Sequence, residues 1–258
     1  MHESSYLPVK WPGECAGKLD NVFATTTQIS GGVSRGDYKE YNLATHVGDD
    51  PVAVSANRAK LVEDLELPSE PIWLDQVHSD KVFMVDEQYN ATAMVEMLPV
   101  QADSSVTRTS GVVCAVLTAD CLPVFFSNRD GTEVAVAHAG WRGLHDGIIS
   151  NTLAAMRSSA ADVVVSLGPA IGPQAFEVGE EVYDAFVSKN QKNSSAFIST
   201  HKDHYLCDIY QLARIELSAS GVTGISGGEY CTFNDSSRFY SYRRHKNTGR
   251  MASLIWFK

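Results

Sequence analysis

The stretch Leu117–Gly143, LTADCLPVFFSNRDGTEVAVAHAGWRG, decides the fold. Just before and into it, Val112–Leu117 is a short apolar run rich in β-branched residues, the pattern of a strand covered on both faces. The run ends in Thr118-Ala119-Asp120-Cys121, and Pro123 forbids a regular helix from starting there. Asn128–Gly131 is a turn signal, and the apolar run Val134–Ala137 that follows it leads straight into His138-Ala139-Gly140-Trp141-Arg142-Gly143. Two buried strands thus each deliver one metal-capable side chain at an end, Cys121 and His138. Strand ends beside glycine-rich turns are rigid and reachable from solvent, as a catalytic group requires.

Working outward, Val22–Thr27 reads as a strand, followed by the permissive loop Ser30-Gly31-Gly32-Val33-Ser34. Pro51 opens a helix capped by Asp49 or Asp50, with Val52, Ala56, Ala59, Leu61, Val62 and Leu65 as its apolar stripe. Pro71–Leu74 and Lys81–Val85 read as short strands flanking Asp75–Asp80, and Ser105–Thr109 as another. Gly147–Met156 has helical spacing, Asp162–Leu167 is a strand, and Glu180–Ser188 and Leu206–Ser218 are helices. The segments Glu229–Thr232, Phe239–Arg244 and Met251–Phe257 alternate as strands do. Strands and helices interleave without a steady βαβ rhythm, so the fold class is α/β in the α+β sense, with mixed sheets in layers. No proline- or serine-rich linker divides the chain, and residues 1–258 read as one domain.

Composition narrows the function. The hydrophobic fraction of 44% and charged fraction of 20% are ordinary for a soluble globular protein. A net charge of -10 disfavours nonspecific binding of nucleic acid or anionic membrane, while leaving room for a local basic pocket. No apolar run approaches a membrane span, and the N-terminus lacks the pattern of a signal peptide. Five cysteines, an odd count without a C-x-x-C pair, point to free thiols in the cytoplasm.

His78, Cys121 and His138 form the first candidate set. Zinc accepts imidazole nitrogen and thiolate sulfur, and three protein ligands leave a fourth position for water, as in catalytic sites. Spacing alone does not settle this, because no two of the three lie within a zinc-finger interval. The same residues also suit a cysteine nucleophile, Cys121, with His138 or His78 as base. Asp120 either orients a histidine and moves a proton or simply caps the turn before Pro123. Arg142, with Arg58 or Arg35, could hold a phosphate, and Gly31–Ser34 could cradle an anion through backbone N–H groups. That loop lacks both the Walker lysine and the G-x-G-x-x-G spacing. His46 is a loop residue, while His2, His145, His201, His204 and His245 read as surface or locally bonded groups. Tyr240, Tyr242, Trp256 and Phe257 read as core.

Several ordered segments now combine: Gly31–Ser34, Asn42–Ala44 with His46–Asp50, Asn57-Arg58, Leu74–His78, Ala119–Pro123, Ala137–Gly143, Gly168–Gly172 with Phe176–Gly179, and Phe239–Arg244 with Thr248–Ala252. Together they resemble the YfiH/YlmD-like family, also known as laccase-domain or multicopper polyphenol oxidoreductase proteins, purine nucleoside phosphorylases or peptidoglycan editing factors. The resemblance implies a layered mixed α/β domain similar to the catalytic domain of cytotoxic necrotizing factor toxins. It implies zinc on His78, Cys121 and His138, with Cys121, Asp120, His78 and His138 catalytic. It implies a purine nucleoside and phosphate as small-molecule partners, contacted by Ser34, Asn42, Arg58, Gln76 and Arg142. The implied reactions are phosphorolysis of adenosine, inosine, guanosine and 5′-methylthioadenosine, and deamination of adenosine. The chain departs from the family pattern at Asp37, Ser104-Ser105 and Gln174-Ala175, none of which touches the proposed ligands. Two alternatives stand beside this reading. One is a cysteine hydrolase or amidase acting on a cell-wall precursor. The other is a copper-dependent polyphenol oxidase, disfavoured because the eight histidines include no H-x-H pair.

Overall fold

Runs of valine, alanine and phenylalanine form strands here because each run has apolar cover on both faces. The computed structural model describes residues 5–15, 19–85 and 100–258. A four-stranded antiparallel sheet runs in the order β1 (Tyr6–Pro8), β2 (Val22–Thr27), β13 (Met251–Phe257), β5 (Cys114–Thr118). A six-stranded mixed sheet follows the order β12 (Gly224–Gly227), β8 (Val163–Leu167), β6 (Leu122–Asn128), β7 (Val134–Ala139), β4 (Ser104–Thr107), β3 (Val82–Val85). Its two outermost pairs are parallel and its inner pairs antiparallel. A small antiparallel sheet of β10 (Phe197–His201), β11 (His204–Cys207) and β9 (Glu177–Gly179) completes the set.

Successive strand residues point to opposite faces, and the cores follow that alternation. Val124 and Phe126 of β6, Ala135 and Ala137 of β7, and Val163 and Val165 of β8 enter one core. That core is closed by α2 (Trp141–Asp146), α3 (Ile148–Ala155), α4 (Glu180–Lys189) and α5 (Ile209–Ala219). Phe125, Val134, Val136 and Val164 point the other way and meet Cys114 and Val116 of β5 and Ile255 and Phe257 of β13. The alternate residues of those two strands, Ala115, Leu117, Ala252, Leu254 and Trp256, pack with Leu61 of α1 (Pro51–Asp64). The layers are therefore helix, four-stranded sheet, six-stranded sheet, helices, which is the mixed layered α/β class expected. Both sheets lie inside, so their strands read as unbroken apolar runs despite antiparallel pairing.

Pro123 sits within β6, where the sequence suggested only an interruption. Its carbonyl accepts from Gly168 N–H just beyond the last registered pair with β8, Val124 with Leu167. The N–H that proline lacks faces the end of that neighbour, so little of the ladder is lost. Asp50 caps α1 by accepting from Val52 N–H, with Pro51 at the first helical position. The buried stripe of α1 is Val54, Asn57 and Leu61, whereas Val52, Ala56 and Ala59 face solvent. An apolar-periodicity reading misses this rotation because Asn57 faces inward to bind loop atoms. Its side chain donates to Ser34 Oγ and the Glu40 and Asn42 carbonyls, and accepts from Val33 N–H.

Pro71–Leu74 forms an isolated bridge at Ile72 in place of a strand. Glu229–Thr232 and Phe239–Arg244 are loop and turn instead of strands, since their backbone groups bond to side chains and to distant loops. Leu206 and Cys207 belong to β11, and the helix begins only at Ile209, capped by Asp208. His2 lies outside the described residues. Among the described residues, no helix is long and apolar enough to cross a membrane.

Candidate metal centre and cleft

Cys121 lies in the short connection by which the chain passes from one sheet to the other, from β5 to β6. His138 is carried on β7 directly opposite Pro123 of β6, which brings its imidazole beside that connection. His78 comes from the loop before β3, and β4 binds that loop in place. Asp103, fully buried just before β4, accepts from the backbone N–H groups of His78 (3.0 Å) and Ser79 (2.6 Å) and from Ser79 Oγ (2.8 Å). The same carboxylate lies 2.8 Å from His138 Nδ1. Two of the three segments, far apart in sequence, are thereby tied by one buried acid.

The ligand-capable atoms of His78, Cys121 and His138 all lie within 4.8 Å of one another, with Cys121 Sγ 4.0 Å from His78 Nε2. The two imidazole rings meet edge to face at 4.8 Å. His138 is buried, while His78 reaches solvent. Carboxylates only accept at neutral pH, so His138 Nδ1 carries a proton toward Asp103 and Nε2 is the nitrogen left for Cys121 or a metal. Burial alone would raise the Cys121 thiol, but the charge and hydrogen bonding of His138 and His78 overcome it and hold the thiol below its ordinary range. Burial would likewise lower His138, yet Cys121 and Asp103 push it up. This is an ion-pair-like couple, and a metal ion held by the same atoms would displace its proton. Two imidazoles, a thiolate and a carboxylate behind one histidine are the donor chemistry of a borderline transition metal, so the residues fit such an ion.

His78 and Asp120 both adopt left-handed backbone, at φ 59° and 86°, which non-glycine residues rarely do without support. Asp103 supports the first. The second is held by its own side chain, which accepts from Thr232 Oγ1 (2.6 Å), Ser241 Oγ (3.0 Å) and Arg243 N–H (2.7 Å). With both oxygens so engaged, Asp120 is a brace joining the cleft wall to the 232–243 loop more than a free proton shuttle. A side chain at Gly140 would crowd the cluster: a Cβ there would stand 3.1 Å from both Cys121 Sγ and His78 Cδ2, so those side chains would have to shift by a few tenths of an ångström.

Two lobes meet at Cys121 and Tyr242. One, about 480 Å³, is walled by Ala119, Trp141, Ile171, Phe176, Ile209 and Arg243. The other, about 990 Å³ of open space, is lined by His46, Gln76, His78, Thr118, His138 and Arg250. Tyr242 was expected in the core, but 45% of it is exposed; Tyr240, Trp256 and Phe257 are buried as expected. Burial, with Arg250 and Arg58 close by, holds His46 below its usual pKa.

The substrate contacts expected from sequence divide. Gln76 lines the polar lobe while its amide zips to Leu117, donating to the carbonyl and accepting from the N–H. Ser34 and Asn42 are buried and bonded to Asp49, and Asn42 also accepts from Arg250 N–H, so both position the cleft from behind. Arg58 donates to the Leu43 carbonyl and lies over Trp73, and Arg142 lies over its neighbour Trp141. Neither lines the lobes, where Arg250 and Arg243 stand instead. Sequence reasoning assigned no role to Asp103, Thr118 or Arg250. Arg250 lies within the Thr248–Ala252 segment that carried the resemblance, whereas nothing local marks Asp103 as a buried acid.

A layered α/β fold with this His–Cys–His cleft agrees with a family match over residues 23–258: the chain belongs to the multi-copper polyphenol oxidoreductase laccase family. Among its relatives, Purine nucleoside phosphorylase YfiH of Escherichia coli (strain K12) is 47% identical over 98% of this chain and 99% of its own. Purine nucleoside phosphorylase of Haemophilus influenzae is 44% identical over 92% of this chain and 95% of its own. The crystal structure of Neisseria meningitidis protein NMB0706 superposes with a TM-score of 0.90 at 45% identity, covering 99% of this chain and 100% of that one. YlmD from Geobacillus stearothermophilus superposes at 0.86 with 31% identity, covering 94% of each chain.

Proposed function

We propose that this chain is a zinc-dependent purine nucleoside phosphorylase that also deaminates adenosine, working in the cytoplasm on adenosine, inosine, guanosine and 5′-methylthioadenosine. The observation that carries the reading is the convergence of His78, Cys121 and His138 where an apolar lobe meets a cationic one. The names of the relatives support the substrate class.

His78, Cys121 and His138 would hold the zinc, which when bound supplies Lewis acidity and polarises a coordinated oxygen. The apolar lobe, with Trp141, Phe176 and the exposed Tyr242 ring, suits a flat heteroaromatic base. Arg250, beside His46 in the polar lobe, presents positive charge to phosphate in a protein that is otherwise acidic. Thr118 lines the same lobe, and its buried hydroxyl has no hydrogen-bond partner among the described residues. In phosphorolysis a phosphate oxygen bonds to C1′ while the N-glycosidic bond breaks and its electron pair leaves with the base. Residues that hold both reactants in one geometry remove the entropy of their encounter. Asp120 and Asp103 act as positioning residues in this scheme.

Inosine incubated with the purified protein, with and without phosphate, tests the reading. Hypoxanthine and ribose 1-phosphate should accumulate only with phosphate, and Cys121→Ala should lose zinc and base release together. A zinc-free Cys121→Ala protein that still releases base at the wild-type rate contradicts it.

A further inference from the structure

Among the described residues, a second group of metal-capable side chains stands outside the cleft: Glu177 of β9, His201 at the end of β10 and His204 at the start of β11. We propose that these three form a second site for a divalent transition ion of the zinc, nickel or copper type. This proposal is independent of the nucleoside reading.

The register places them together. His201 pairs with His204 across a two-residue turn, and β11 pairs with β9 through Leu206 and Glu177, two residues along from His204 and therefore on its face. Their ligand atoms all lie within 4.8 Å, with His201 Nδ1 3.8 Å from Glu177 Oε2. The imidazoles stack at 4.2 Å with planes 16° apart. Two imidazoles and one carboxylate are a donor set for such metals, and a tetrahedral ion draws its ligands to roughly 3.3 Å apart. The rings must splay to reach this, which is open to side chains as exposed as His201 and Glu177, at 60% and 43%.

Supporting contacts point the same way. His204 Nδ1 lies 2.9 Å from the Lys202 carbonyl. A carbonyl can only accept, so Nδ1 carries the proton and Nε2 is left for a metal. Thr200 Oγ1 contacts Glu177 Oε2 at 3.4 Å and His201 Nδ1 at 3.2 Å, orienting both. The site also touches the cleft wall. Arg243 Nη1 donates to the Glu177 carbonyl, and both Arg243 and the adjoining Phe176 line the apolar lobe. An ion here joins β9 to the β10–β11 hairpin and braces that wall.

Cobalt(II) titration of the metal-stripped full chain separates the two sites, because only one contains sulfur. Wild type should take up two ions per chain, one with a thiolate-to-cobalt charge-transfer band. The His201→Ala/His204→Ala variant should lose one ion and keep the band unchanged, and Cys121→Ala should lose the band and keep the other ion. Glu177→Gln, which keeps the side chain's shape, should weaken the sulfur-free site by at least the roughly tenfold that a lost outer partner costs. Equal uptake by wild type and the double histidine variant overturns the proposal, as does a wild type that binds only at the sulfur-containing site. Failure of the charge-transfer band alone would instead count against the cleft centre.

Discussion

His138 presents its outer nitrogen to the cleft because Asp103 holds the inner one. Burial alone would raise the Asp103 carboxyl, but hydrogen bonds from His138 and Ser79 hold it below the usual carboxylate range, so it stays an acceptor at neutral pH. On the proposed zinc reading, Asp103→Asn is expected to weaken metal binding by roughly 10- to 100-fold, the usual cost of losing an outer carboxylate, read by competition with a chelator. The arginines make a second contrast. Arg250 lines the polar lobe, whereas Arg142 lies over Trp141 outside it. Arg250→Ala should raise the KM for phosphate by roughly 10- to 100-fold, as loss of a charged hydrogen bond does. Arg142→Ala should leave it within about twofold, as surface changes usually do. The reverse order in steady-state kinetics would return the phosphate to the place the sequence suggested.

Between elements, Glu133 shows how a buried acid joins a strand to the chain behind a helix. It immediately precedes β7, is 2% exposed, and accepts from the backbone N–H groups of Arg157 and Ser158 beyond α3. Arg108, just after β4, donates to the same carboxylate at 3.1 Å. Burial opposes ionisation, but these donors overcome it and lower the pKa from its ordinary 4.5. A carboxylate depressed on folding adds stability above its unfolded pKa and loses it as pH falls through the folded value. Glu133→Gln is expected to lose about 1.5–3 kcal/mol at pH 7 in urea unfolding. The gap between the two proteins should narrow as pH drops below 4.5; a gap independent of pH would show that the charge is not what matters. At this scale, the strands with apolar cover on both faces were legible from the sequence, as were the helix at Pro51 and its Asp50 cap. The inward turn of Asn57 was not, because a polar residue bonded to distant loops looks like a surface residue in any periodic pattern. The tail was misread for a related reason: Tyr242 alternates with Tyr240 like a strand residue, but Asp120 and Arg244 hold its loop through contacts no local pattern reveals.

Across the whole molecule, Phe125 occupies the seam between the two sheets, fully buried with Val136, Val164, Ile255 and Phe257. Phe125→Ala should cost about 3–5 kcal/mol by chemical denaturation, the price of a large core cavity. A loss below about 1 kcal/mol would mean that the seam closes up and that the sheets are not held by this packing. The same seam places the chemistry, since at Cys121 the chain crosses from β5, an edge strand of the four-stranded sheet, to β6, an inner strand of the six-stranded one.

The sequence by itself determined the alternation of strands and helices, the layered mixed class, the family resemblance and the three residues able to hold a metal. Hydrophobic patterning and side-chain chemistry are local properties, readable one segment at a time. Only the tertiary structure decided that Asp103 ties His78 to His138, that Arg250 and Tyr242 face the cleft while Arg58 and Arg142 do not, and that Glu177 meets His201 and His204. Those outcomes depend on register and layer packing, which bring together atoms that no sequence spacing relates.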